Sequence, residues 1–368
     1  MVEELKYKNK VLHFSDVDLS KLETPKFVFS KKQLEISYKK LDSKFSEVFA
    51  KKRMYYSFKT NSYPFVIKAL KNLGSKFVLS SVNEAKDALS YNISPKDCLV
   101  NQPLYTEQNI KDYIDLGFDF FATGHEKFLH YMQKHAKGKI KYLADIDLIA
   151  KEHTFSFWKD DLAFLPKKFP SLELCGIAFY VKTQNTDVFV WQSYVTKAIE
   201  VVKELEKKGV KIEFINIGSG FPVEYNKSGI DGYLVIDRIK NTLEKLKDYT
   251  VIVEPGRMIS ASCVVLVADT MMVKESDVWI NTSIYNSYLD TQIAKVKLPC
   301  MNVKEKSKTK EYNVFGNSPC TLDVFFKDKP IGLVEEGDKL CFYNCGAYIF
   351  MTEFASNPKV EFDEQSIK

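Results

Sequence analysis

The chain lacks the features that mark membrane, secreted and metal-built proteins. No apolar run approaches the roughly 18 consecutive residues of a membrane span. No charged-then-apolar leader opens the sequence, so a signal peptide is not expected and the cytoplasm is the expected compartment. The seven cysteines (Cys98, Cys175, Cys263, Cys300, Cys320, Cys341, Cys345) are odd in number and scattered, which argues against a disulfide framework. Cys341 and Cys345 come closest to a metal pattern but have no His/Cys pair nearby. Histidine is scarce, and His125, His130 and His135 step by five residues, off a common helical face. No structural metal is expected. Charge of one sign is also missing: the net charge is +5, and lysines interleave with acids at 203–208 and 240–247 as on solvated helix faces. Nucleic acid and membrane are therefore not expected partners.

What remains is an ordinary globular composition, 45% hydrophobic and 27% charged over 368 residues. That length exceeds what one core usually supports, so a large domain and a smaller one are expected. Residues 1–23 are polar and mixed, 25–30 predicts a strand, and Leu34, Ile36, Leu41, Phe45 and Val48 fit a helix from Lys31 to about Ala50. Short apolar or β-branched runs then recur at 53–59, 76–81, 97–101, 119–122, 139–146, 175–181, 214–217 and 250–253. Helical patterns lie between them at 64–72, 83–90, 106–115, 126–136, 190–208 and 236–248; the gap 147–174 has no clear pattern.

Such alternation implies parallel pairing, and eight units close a (β/α)8 barrel; an open doubly wound sheet is the competing arrangement. The count favours the barrel, as do polar or glycine-rich residues at strand ends: Lys59, Ser80, Ser81, Thr183, Gly218 to Gly220 and Glu254 to Arg257. After Arg257 alternating strands take over, predicting an all-β domain. The expected architecture is an α/β TIM barrel over 31–258, with 1–30 joining 259–368 in a sandwich or Greek-key-like β domain. The charge run Lys304–Lys310 reads as a solvated hairpin tip.

Four stretches carry chemistry. Lys59 follows an aromatic-rich run, and desolvation at a barrel mouth would free its amine to attack a carbonyl such as the aldehyde of pyridoxal phosphate. Gly218-Ser219-Gly220 follows a strand and lets backbone amides approach a phosphate; a plain strand-to-helix turn is the other reading. Glu254-Pro255-Gly256-Arg257 offers a carboxylate for a protonated ring nitrogen and a guanidinium for a phosphate, or a buried Glu254–Arg257 ion pair. In the β region, Cys320 after a proline suits a proton donor and Tyr348 a phosphate hydrogen bond; inert packing is the alternative for each.

In this order the pieces resemble the pyridoxal-phosphate-dependent decarboxylases of the ornithine/diaminopimelate/arginine type, with their fold-type III, alanine-racemase-like barrel. The resemblance runs over roughly 25–357, and 279–288 looks most like the ornithine branch, which points to polyamine biosynthesis. It implies pyridoxal 5'-phosphate as cofactor, held by Lys59 as an internal aldimine. Glu254 would keep the pyridine nitrogen protonated, and Gly218, Ser219, Gly220, Gly256, Arg257 and Tyr348 would surround the phosphate. It further implies a homodimer with shared active sites, in which Cys320 from the partner subunit returns a proton to Cα.

The sequence departs from the pattern at several points. Tyr180 stands where a histidine usually stacks on the ring, and Lys182 where glycine is usual. Thr321 rather than an acid follows Cys320, with Asp323 at a shorter spacing. Ala294 takes the place of a substrate aspartate, which Asp290 could replace by a shifted register. Lys182, Asp290, Thr321 and Asp323 are thus the substrate-binding candidates, and Lys182 hints at a carboxylated distal group. The reaction expected is decarboxylation of ornithine, lysine, diaminopimelate or a modified relative. Alternatives are a racemase or epimerase on the same scaffold and a catalytically silent regulatory homologue.

Overall fold

The structure, a computed structural model, describes residues 2–148, 156–157, 162–225, 229–349 and 360–367. The chain divides into two units: one of 40–222 and 230–256, the other of 1–39, 223–229 and 257–368. Residues 31–39, 223–229 and 257–258, expected in the barrel range, thus group with the β unit. The reason for the first is the helix Lys31–Ser46, whose early turns bond to Ser262 through Ser37 at 2.8 Å.

In the first unit eight parallel strands close into a barrel: Lys52–Ser57, Lys76–Leu79, Cys98–Asn101, Phe120–Thr123, Ile140–Asp145, Leu172–Ala178, Phe214–Asn216 and Thr250–Val253. The last pairs with the first from Val251↔Lys52 to Val253↔Met54, which excludes the open sheet. Tyr55, Leu99, Leu143 and Phe214 from odd-numbered strands and Val78, Ala122, Ala178 and Ile252 from even ones fill the interior, the layering of a closed barrel. Capping explains where the outer helices begin. Ser81 accepts the N–H of Glu84, Thr106 and Asn109 form a capping box, and Asp187 and Asp231 cap Val188–Lys207 and Gly232–Leu243. In the unread gap, 149–155 and 158–161 lie outside the described residues, and Leu165–Lys168 is a single helical turn.

The other unit is mostly sheet. Its long strand Val264–Lys274 pairs antiparallel with Lys26–Phe29, with Lys339–Phe342 and, past Thr270, with Asp277–Ile280. Strands Thr309–Phe315 and Val324–Gly332 continue the order beyond Asp277–Ile280, and Cys300–Asn302 extends it beyond Lys339–Phe342. The N-terminal stretch, read only as polar and mixed, forms a three-stranded sheet of Leu5–Lys8, Val11–Phe14 and Val17–Asp18. Its cause is a period-two pattern: Leu12 and Phe14 are buried with Val28, Val265, Val267 and Cys341. The lysine run is largely exposed, as expected, although Lys306 reaches the buried carboxylate of Asp338 at 3.0 Å and Lys304 reaches it at 3.4 Å. Among the described residues, no helix is long and apolar enough to cross a membrane.

Candidate active site

The first barrel strand ends at Ser57, and Lys59 sits two residues later in the 3-10 turn Phe58–Thr60. Phe58 and Thr60 are buried and fix the turn, while Lys59 between them is exposed, so the residues of the mouth do not supply the expected desolvation. The Glu254 segment lies against this turn. Ser57 donates its N–H to Pro255 O at 3.3 Å, and a side chain at Gly256 would overlap Thr60. Lys59 is consequently near enough to Glu254 and Glu84 to pull both carboxyls downward in pKa.

Strand periodicity builds the rest of the rim. Ser57, Asn101, Asp145 and Asn216 each stand two residues beyond the interior residues Tyr55, Leu99, Leu143 and Phe214, so the period of two turns all four inward. Glu254 stands likewise beyond Ile252. Asn216 Oδ1 accepts the N–H of Gly218 at 2.8 Å, which turns its Nδ2 to Glu254 Oε1 at 2.6 Å. Asn101 Nδ2 donates to the same oxygen at 3.2 Å. Burial pushes the Glu254 pKa up, against the pull of the two amides and Lys59. Asp145 has less relief: burial, then Glu254 and Asp147, push it up to about 7 against a single backbone hydrogen bond from Ile146. Glu84 is raised by burial and partly offset by Ser80, whose N–H donates to it at 2.6 Å. Charge at this rim is thus held by neutral amides and one ammonium.

The Gly218–Gly220 loop is attached to this centre, since Glu254 donates its N–H to Gly218 O at 2.7 Å. Gly218 (φ +64°) and Gly220 (φ +121°) occupy backbone conformations that favour glycine, and Gly218 leaves only 2.7 Å between an added Cβ and Phe179 O. Gly218 and Gly220 are buried and Ser219 is partly exposed. Tyr180, beside Gly218, is exposed, as are Lys182 and Thr183, which lie past the end of the sixth strand at Ala178. A clamped carboxylate, an adjacent lysine and a tight Gly-Ser-Gly loop are the donor set a phosphorylated pyridine aldehyde requires.

In the β unit the expected residues have other partners. Arg257 does not pair with Glu254. Its Nη1 bonds Asp290 Oδ2 at 2.6 Å and the Tyr225 hydroxyl at 3.2 Å, and its guanidinium lies 4.6 Å from the Tyr348 ring centre. Both members of the ion pair are buried, so Asp290 is committed to Arg257 and not free for a substrate. Arg257 Nε is buried with no hydrogen-bond partner among the described residues, a donor that an anion would satisfy. Tyr348 holds φ +56°, which a non-glycine residue keeps only where its surroundings fix it. Asp323 is likewise committed: its carboxylate accepts the N–H groups of Ile284 and Ser318, each at 3.0 Å. Thr321 is exposed, and Cys320 is partly exposed with its Sγ 3.0 Å from the Tyr285 hydroxyl.

Glu84, Asn101, Asp145, Asn216 and Tyr285 were not singled out by the sequence reading. For Asn101, Asp145 and Asn216 a signal existed, a lone polar residue two positions past an interior apolar one; for Tyr285 there was none.

A family model described as pyridoxal-dependent decarboxylase, pyridoxal binding domain, matches residues 35–261. A curated diaminopimelate decarboxylase of Aquifex aeolicus is 24% identical, with 94% of this chain and 88% of that protein covered. One of Helicobacter pylori is 26% identical, with coverage of 83% and 82%. Among solved structures, diaminopimelate decarboxylase of M. jannaschii in complex with L-lysine gives a TM-score of 0.89 at 21% identity, covering 99% of this chain and 93% of that one. A lysine/ornithine decarboxylase of Vibrio vulnificus complexed with putrescine gives 0.82 at 19% identity, covering 94% and 95%. At these identities the structural likeness speaks for the fold.

Proposed function

Since this chain belongs to the family of pyridoxal-dependent decarboxylases, we propose that it decarboxylates a diaminopimelate-like amino acid, one with a carboxylate at its distal end. It is a carboxy-lyase with pyridoxal phosphate as cofactor. The observation that carries the reading is Glu254 held between Asn101 and Asn216 beside Lys59. When bound, the cofactor supplies the electron sink for the bond broken as carbon dioxide leaves.

The protein's own residues do the rest. Lys59 provides the amine that holds the cofactor. Glu254, oriented by two amides, would hold the proton of the ring nitrogen, while Gly218, Ser219 and Gly220 would offer backbone donors to the phosphate. Tyr180 offers an aromatic face. Arg257, Gly256 and Tyr348 are proposed for the phosphate on the strength of the family resemblance alone. Cys320, supplied by a second copy in a homodimer, gives its thiol proton to Cα.

The substrate class rests on Asp290 and Asp323. Either would neutralise the distal ammonium of ornithine or lysine, and both are already consumed within the β unit. Leaving an ammonium without a carboxylate is unfavourable, whereas an exposed Lys182 suits a distal carboxylate.

Carbon dioxide release from diaminopimelate, lysine and ornithine, each as D and L forms, tests this. The expected result is the highest kcat/KM with diaminopimelate, and a borohydride-stable mass tag on Lys59 that Lys59→Ala abolishes. A higher kcat/KM for lysine or ornithine overturns the substrate class; no carbon dioxide and no tag on Lys59 overturn the mechanism.

A further inference from the structure

Two loops of the β unit converge on one hydrogen bond. The first, 282–287, is wound on Asn286, whose Oδ1 accepts from the Thr282 hydroxyl at 3.2 Å and from the Ser283 N–H at 3.0 Å. The second, 316–323, carries Cys320. Asn317 donates its N–H to Thr282 O at 3.1 Å, joining the loops by their backbones.

Asp323 locks them. It is buried; one carboxylate oxygen takes the N–H of Ile284 in the first loop and the other takes that of Ser318 in the second. Its own N–H donates to Cys320 O at 3.0 Å and its carbonyl accepts the N–H of Gly316 at 2.9 Å. A side chain at Gly316 would overlap the carboxylate, so the clamp has no slack. The result is the Tyr285 hydroxyl 3.0 Å from Cys320 Sγ. The hydrogen bond with Cys320, then burial and the proximity of Cys320 and Asp323, push the Tyr285 phenol up to about 12, so at neutral pH it keeps its proton and is the donor whenever sulfur is the acceptor.

We propose that Tyr285 is a positioning residue for Cys320, holding the thiol in one orientation and donating a hydrogen bond to the thiolate left behind when Cys320 gives up its proton. The inference rests on the reading of Cys320 as proton donor. In that step the S–H bond breaks, the proton goes to the substrate carbon, and the electron pair stays on sulfur. The phenol O–H is not broken, and its hydrogen bond strengthens because the acceptor becomes charged.

The experiment is alkylation of the holoenzyme by iodoacetamide at pH 8, read by peptide mapping. Of the described cysteines only Cys300 and Cys320 are not buried, so the two signals separate cleanly. Tyr285→Phe keeps the ring and removes the hydroxyl. It should slow labelling of Cys320 roughly three- to tenfold, the net worth of one typical hydrogen bond, and leave Cys300 unchanged. It should also lower kcat with KM unchanged, and add nothing to Cys320→Ser in the double variant. Unchanged or faster labelling of Cys320 overturns the proposal, as does a kcat loss that persists in full in the Cys320→Ser background. Should Cys320→Ser itself retain full kcat, the proton-donor reading fails, while the labelling rate still reports on the Tyr285 contact.

Discussion

The same residue type is used in opposite ways in the two units. At the barrel rim, Glu254, Asp145 and Glu84 are half-buried beside amides, hydroxyls and the Lys59 ammonium, and desolvation leaves all three carboxyls raised. In the β unit, Asp290 meets a guanidinium, and Asp323 two backbone N–H groups. Asp338 is pressed upward by burial, but hydrogen bonds from Asn302, Lys306 and the Glu335 N–H prevail and hold it below the usual range. The first set is left with unspent capacity to bind a cation or a proton. The second has spent it on the fold. Burial alone therefore does not mark a functional carboxylate; burial whose cost the surrounding hydrogen bonds and cation leave unoffset does.

The contrast can be broken from either side. The largest effect is expected in the β unit. Asp290→Ala strands Arg257 in a buried site, and removing one member of such a pair costs about 3–5 kcal/mol. Thermal or urea unfolding should show that loss; a loss below about 1 kcal/mol would mean that the pair is no more architectural than a surface bridge.

Next comes the rim. Glu254→Gln preserves shape and hydrogen bonding to Asn101 and Asn216 but removes the charge proposed to face the cofactor ring. A fall in kcat of about 10²-fold or more is expected, by analogy with deleting one preorganised electrostatic partner, with cofactor absorbance retained and the unfolding midpoint barely moved. If kcat holds while stability drops, Glu254 belongs with the architectural set.

The smallest effect is a pH dependence. With its folded pKa near 7, Asp145 holds a proton that the unfolded chain releases near pH 4, about the ordinary aspartate value. Its contribution to stability is fully favourable below that value and declines as pH rises through about 7. Asp145→Asn should remove the decline, so the variant matches the parent chain at low pH and gains on it from pH 5 to 8, by at most roughly 1.4 kcal/mol per unit of pKa shift. Melting curves across that range decide; a gap that does not grow with pH would show that Asp145 is not strained by its neighbours.

Much of the barrel was legible because each element carries its own local signal. The helix Pro64–Asn72 has proline at its start and the strand Thr250–Val253 an apolar run, and both fall where expected. Lys59, Gly218 to Gly220 and Glu254 were legible as chemistry placed at strand ends. The N-terminal sheet was not, because strands of two to four residues are too short for alternation to stand out from a polar background. Asp290 and Asp323 were read as substrate ligands because a carboxylate in a loop looks the same whether it faces a substrate, an arginine or a pair of amides. Tyr285 was passed over because its partner is 35 residues away.

Periodicity and strand-end residues alone settled the barrel and its eight strands and pointed to the residues proposed to handle the cofactor at its rim, since these follow from interactions between near neighbours along the chain. Which carboxylates stay poised and which are consumed was decided only by the tertiary structure. The energy of a charged group is set by whatever long-range folding places within a few ångströms of it, and no local pattern encodes that neighbour.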